Sequence, residues 1–165
     1  MSETVRKIDY YYTETAHKPG EGAKILAALR DAGVNLLAFS GFPSGRKAQL
    51  DFIPEDSGAF KSAAKKAGLK LSTKKTGFLI QGEDRVGAVA DIIGKLAAAN
   101  INVTAIDAVC AGAGRYGGIL WVKAPDVRKA AKVLLATEAA VMPPAAAPPD
   151  PALQAPDQPI TGGQP

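Results

Sequence analysis

The sequence repeats itself at a separation of 67 residues. Shifting by that amount lays Gly20 on Gly87, Ala23 on Ala90, Ile25 on Ile92, Leu26 on Ile93 and Leu29 on Leu96. It also lays Val34 on Ile101, Asn35 on Asn102 and Lys18 on Arg85. Turn positions and apolar positions match together, through a strand, a helix and a second strand. One duplicated unit is the simplest account. A unit of roughly 65 residues buries too little surface to be more than marginally stable alone. Two copies in one chain can cover each other, and pairing within one chain or across two both remain open.

The pattern within each copy reads strand, helix, strand, strand, helix, strand. Residues 5–13 alternate, with Ile8, Tyr10 and Tyr12 on one face. Ile25, Leu26, Leu29 and Ala32 form a helical stripe that Gly33 ends. VNLLAFS and KAQLDFI read as strands around an FPSG turn, with Ala48, Leu50 and Phe52 on one face. Asp56 or Ser57 can cap a second helix with Ala59, Phe60, Ala63, Ala64 and Ala67 on its apolar side. LKLS is a short fourth strand. The order then restarts with TGFLIQG, a helix carrying Val89, Ile92, Ile93 and Leu96, the strands INVTAIDAV and GILWV, and a helix from Pro125 through Leu134. TEAAVM is the one candidate for a second fourth strand. This predicts an α+β fold of two ferredoxin-like βαββαβ units, with antiparallel sheets and helices on one face. The units should span residues 4–74 and 75–137, joined by sheet edges or by sheet faces. An exposed edge invites further pairing, so a homodimer is expected.

From residue 138 to 165 the chain is rich in proline and alanine, and eight of its twelve prolines follow Val141 and Met142. It has no apolar pattern and should be a disordered tail, with docking of a partner as the sharper alternative. The net charge is +4, or +6 without the tail's Asp150 and Asp157. That is weak attraction for a polyanion. No apolar run approaches the roughly 18 residues of a membrane span, and no apolar signal region opens the chain, which argues for the cytoplasm. Cys110 and His17 are the sole cysteine and histidine. They cannot build a typical zinc site or an internal disulfide, and they exclude most Ser-His and Cys-His catalysis unless His17 itself serves. No cofactor or metal is expected.

The stretch GEDRVGAVADI, residues 82–92, carries the most chemistry. A strand ends there, a helix begins, and the first helical turn leaves N–H groups unpaired and favours an anion. Gly87 lets a ligand or backbone approach closely. Asp84 can cap the helix or accept an ammonium group, and Arg85 can pair with a carboxylate. A small zwitterion fits this arrangement. So does a plain capped turn with two exposed charges.

These residues resemble a known family. GEDRVGAVADIIGKLAAANINVTAI is similar to the opening strand–helix–strand of an ACT domain, with its Asp/Asn-Arg-Pro-Gly turn and its Gly-Ile/Val-Asn-Ile entry into the second strand. Here the turn reads Asp84-Arg85-Val86-Gly87, with valine in place of proline, and the second element reads Asn100-Ile101-Asn102-Val103. The first copy reads His17-Lys18-Pro19-Gly20 and Gly33-Val34-Asn35-Leu36. The two copies cover roughly residues 4 to 136. The resemblance implies a non-enzymatic regulatory module that binds a small ligand, most often an amino acid, at an interface between two units. Carried over, the second copy offers Gly82, Asp84, Arg85, Gly87, Asn102 and Val103. The first offers Thr15, His17, Lys18, Gly20, Asn35 and Leu36. The asparagines would orient the ligand and the backbone amides of Leu36 and Val103 would hold its carboxylate. Thr15 in place of Gly82, and His17 in place of Asp84, imply that the two sites differ. A regulated protein partner is implied too. The alternative is a structural or interaction module without ligand.

Other features read as structure. Tyr10 and Tyr12 should be core with a wet hydroxyl. RNA-recognition domains share this strand and helix order, but their aromatic-rich pattern is missing from KAQLDFI and GILWVK, so nucleic acid is not expected. Lys61, Lys65, Lys66 and Lys70 should form a solvated helix face. Cys110 should be a small buried residue, Trp121 core or interface, and AGAGRYGG a hairpin turn.

Overall fold

A computed structural model describes residues 3–138. Six strands and four helices follow in the order β1 (Thr4–Ala16), α1 (Glu21–Asp31), β2 (Leu36–Ser44), β3 (Lys47–Pro54), α2 (Ser57–Lys66), β4 (Lys75–Glu83), α3 (Ala88–Ala98), β5 (Val103–Gly112), β6 (Arg115–Val122) and α4 (Val127–Val133). The strands form one antiparallel sheet in the order β2-β3-β1-β4-β6-β5. The two ferredoxin-like units are joined edge to edge through β1 and β4.

The joint follows from the length of β1. Its second half, Tyr11–Ala16, pairs with β3 of its own unit. Its first half, Thr4–Tyr10, pairs with β4 of the other. Asp9 sits opposite Thr76, its own counterpart at the repeat separation. A residue opposite its counterpart lies on a two-fold axis, so the duplication is also a local two-fold symmetry. A second counterpart pair repeats the signature, because the Ser40 hydroxyl donates to Asp107 Oδ2 at 3.3 Å. Ser40 and Asp107 stand on β2 and β5, the two ends of the sheet. Five strand steps would hold them about 24 Å apart in a flat sheet. The sheet therefore curls until its edges approach.

The helices lie on one face, over two cores. Tyr11, Leu29, Leu50, Phe52, Phe60 and Ala63 pack under α1 and α2. Phe78, Ile80, Ile92, Leu96, Leu120 and Leu134 belong to the cluster under α3 and α4. The opposite face holds a third cluster, Ile8, Ile53, Leu79, Ile119 and Trp121. Trp121 is buried, as expected. Asp51 is buried on that face too, and accepts from Gln49 Nε2 at 2.8 Å. Loss of solvent pushes its pKa up, against the lowering effect of Gln49 and Lys75.

Several expectations need correction. Tyr11, rather than Tyr10 or Tyr12, is the buried tyrosine, because the helix-covered face of β1 takes the odd residues. Tyr10 and Tyr12 are half-buried; Tyr10 meets Trp121 edge-on, and Lys75 lies over the Tyr12 ring. LKLS is not a strand. It runs beside β1 with irregular bonds, Ser72 N to Tyr12 O at 2.8 Å and Thr13 Oγ1 to Lys70 O at 2.8 Å. Of TEAAVM, Thr137 alone bridges to Arg6, and Ala139 onward lies outside the described residues, as does the tail beyond Glu138. Cys110 is exposed. It sits on β5, the last strand of the sheet, and an apolar strand sequence does not distinguish an edge from a centre. Asp56 caps α2 as expected, accepting from Gly58 N at 2.7 Å and Ala59 N at 3.0 Å. The four lysines of α2 and its exit are exposed. Gly112, Ala113 and Gly114, all at positive φ, make the expected hairpin turn between β5 and β6.

Candidate functional site

The turn between β4 and α3 builds a pocket of about 250 Å3, lined by Asp84, Arg85, Gly87, Val109, Cys110 and Tyr116 among others. Typical sites for drug-sized ligands occupy roughly 300–1,000 Å3, so this one suits something smaller. Its floor is the first turn of α3. Gly87 precedes that helix at φ +81°, a left-handed conformation that glycine adopts without strain. Its counterpart Gly20 does the same before α1, at φ +88°. Asp84 does not cap α3; no side chain does. With glycine in the capping place, the first N–H groups of the helix have no side-chain acceptor, which leaves that duty open to a ligand.

The charged groups at the mouth are engaged with protein. Asp84 Oδ2 accepts from the Cys110 thiol at 3.0 Å, and the Asp84 amide donates to Gly114 O at 2.8 Å. Arg85 pairs with Asp91 on the first turns of α3, and this holds the guanidinium pKa above its usual value. Both residues of that ion pair are exposed, so the pair is weak and exchangeable.

Gly82 serves packing first. A Cβ there would lie 2.7 Å from the Tyr116 ring, which crosses over it from β6. In the first unit the strand counterparts are Thr15 and Ala48, which are paired. Large and small have changed places, which explains why a threonine stands where the second unit has glycine. Sequence reasoning missed the pocket's far wall, Ala108, Val109, Cys110 and above all Tyr116. The only signal for Tyr116 is register: it is paired with Gly82 across β4 and β6. The phenol donates to Glu3 Oε2 at 2.8 Å. Burial, then the Glu3 carboxylate, push its pKa up to about 12. The proton is held by the folded state above the ordinary phenol value, so this contribution to stability is complete below pH 10 and lost as pH rises towards 12. An ultraviolet titration should show one phenolate forming last, near pH 12, and absent in Tyr116→Phe.

The remaining expected residues are scattered. Val103 begins β5 and Asn102 precedes it, whereas the pocket meets Ala108, Val109 and Cys110 near the strand's other end. Asn35 lies at the entry to β2, where its Nδ2 donates to Glu55 Oε2 at 3.0 Å. It lines a second, larger cavity of about 880 Å3 on the helix-free face, between β2 and β5. Leu36 packs against the core under α1 and α2. His17, Lys18 and Gly20 are exposed at the first turn, and Thr15 is half-buried. Among the described residues no group of three or more acidic, histidine or cysteine side chains could hold a metal. No helix among them is long and apolar enough to cross a membrane.

No protein-family model matches the sequence, and no curated protein does. Solved structures do. The chain is similar to protein BT0572 from Bacteroides thetaiotaomicron, with a TM-score of 0.68 at 18% identity, over 81% of this chain and 88% of that one. It is similar to the ligand-free regulatory subunit of aspartate kinase from Thermus thermophilus, with a TM-score of 0.57 at 15% identity, over 82% and 95%. The regulatory subunit of aspartate kinase from Thermus flavus matches with a TM-score of 0.52 at 15% identity, over 81% and 94%. The chain thus has the fold of two joined ACT-type units, the fold of aspartate kinase regulatory subunits.

Proposed function

We propose that this protein is a non-enzymatic, cytoplasmic regulatory protein whose second ACT unit binds a small zwitterion, an amino acid by preference. The observation that carries this reading is the turn pocket itself. It sets a carboxylate, a guanidinium and the uncapped start of α3 around about 250 Å3. An incoming carboxylate meets the helix N–H groups and Arg85, released from Asp91. An incoming ammonium meets Asp84, released from Cys110.

The division at 74/75 gives each unit its own turn, and the units are not equivalent. The first turn has His17 and Lys18 in place of an acid and an arginine, so it lacks the ammonium acceptor. Asn102 and Val103 stand at the far end of β5 from the pocket, and reach such a ligand only from a second copy. A homodimer is therefore part of the proposal. A regulated partner would read the shift between unit arrangements, which a ligand produces only by favouring one of them. The structures that share this fold include regulatory subunits of aspartate kinase, which supports a regulatory role.

A thermal-shift survey of the twenty amino acids tests this. At about 100 times its dissociation constant the true ligand adds roughly 2.7 kcal/mol of stability. Asp84→Asn is expected to abolish the shift while leaving the ligand-free midpoint within about 1 kcal/mol. No shift with any of the twenty would remove the amino-acid reading.

A further inference from the structure

The helix-free face carries a row of four residues that the turn pocket does not use. Arg6 on β1 pairs with Leu79 on β4, Leu79 with Ile119 on β6, and Ile119 with Asp107 on β5. All four line the 880 Å3 cavity. The row reads cation, apolar, apolar, anion, and the anion also accepts from the Ser40 hydroxyl. Arg6 has no ion pair or side-chain hydrogen bond with a described residue, and it is half-buried. A half-buried guanidinium with no protein partner keeps its donors available to an incoming carboxylate. Three strand steps span about 14 Å in a flat sheet, and the curl that brings Ser40 within 3.3 Å of Asp107 brings the two ends of the row nearer.

Gly117 lines the same cavity. In the first unit the corresponding place on β3 is Gln49, paired with Glu14 as Gly117 is paired with Gln81. A Cβ on Gly117 would meet nothing closer than Ile80 O at 3.9 Å. The backbone therefore tolerates a side chain there, and its absence leaves the apolar floor open.

We propose that this cavity is a second binding site, separate from the turn pocket, for an elongated zwitterion. Its carboxylate pairs with Arg6, its alkyl segment lies on Leu79 and Ile119, and its terminal ammonium pairs with Asp107.

Titration calorimetry on the full chain reads this, with 6-aminohexanoate as probe and hexanoate and hexylamine as controls that each lack one charge. The probe is expected to bind saturably, about tenfold or more tighter than either control, the value of one charge-assisted hydrogen bond. Arg6→Gln and Asp107→Asn should each weaken it about tenfold. Gly117→Phe should abolish binding by filling the floor. Arg6→Gln and Asp107→Asn change only side-chain ends, so they decide the matter even if Gly117→Phe does not fold. Asp84→Asn, in the turn pocket, should leave probe affinity unchanged. Absence of saturable binding overturns the proposal, as do equal affinities for probe and controls. Loss of probe binding in Asp84→Asn with retention in Arg6→Gln would place the probe in the turn pocket and overturn it too.

Discussion

Phe52→Ala and Phe78→Ala are each expected to lower stability by about 3–5 kcal/mol, and to shift a single unfolding transition. Both rings are fully buried. Truncating a buried phenylalanine loses its transfer free energy and leaves a cavity that neighbours close only in part. Phe52 serves the core under α1 and α2, and Phe78 the core under α3 and α4. Two independent domains would respond separately, each substitution moving one of two transitions. Here β1 is shared: one half completes the first unit and the other half pairs with β4. Neither unit can lose its sheet without exposing an edge of the other, so the transitions should merge. Calorimetry with both variants reads this directly. Two resolved transitions, only one of them moved by Phe52→Ala, would contradict the shared-strand account.

Gly82→Val should damage stability and the turn pocket together. The Cβ position lies 2.7 Å from Tyr116 Cε1, a distance that real contacts do not sustain. Tyr116 is buried and tied to Glu3, so it cannot step aside without losing packing and a hydrogen bond. Overpacking of this kind typically costs about 1–3 kcal/mol. Because Tyr116 lines the pocket, ligand affinity should fall at least about tenfold, on the scale of one lost contact of roughly 1.4 kcal/mol. The double variant Gly82→Val/Tyr116→Ala imitates the first unit's Thr15–Ala48 pairing and should recover part of the stability. Thermal denaturation of the three variants separates a steric effect, which the second substitution relieves, from a backbone effect, which it does not.

Much of this architecture is legible in the sequence, and the parts that are not share a cause. The repeat at 67 residues and the stripes Ile25–Leu29 and Ile92–Leu96 follow from local periodicity, and the helices form there. The capping aspartate of α2 is local as well. The joint between β1 and β4 is not: periodicity says which face a residue takes and nothing about which strand lies beside it. The tyrosine run shows the limit. Its alternation is plain, yet which face meets the helices depends on how β1 is shared. The apolar sequence around Cys110 places it inside, whereas β5 is an edge strand and leaves it exposed. Tyr116 becomes a pocket residue only through its register with Gly82. The Asp84-Arg85-Val86-Gly87 turn is legible in the sequence. Its pairing partners, Cys110 and Asp91, differ in that the first comes from a distant strand and the second lies six residues along.

The central claim is that this turn binds a small zwitterion. The most direct measurement is calorimetric titration of the stabilising amino acid into the wild type, Asp84→Asn and His17→Ala. One ligand per chain is predicted, lost in Asp84→Asn and retained in His17→Ala, because Asp84 in the second unit's turn is the proposed ammonium acceptor and the first unit has His17 in that place. Unchanged binding in Asp84→Asn, or loss confined to His17→Ala, would contradict it.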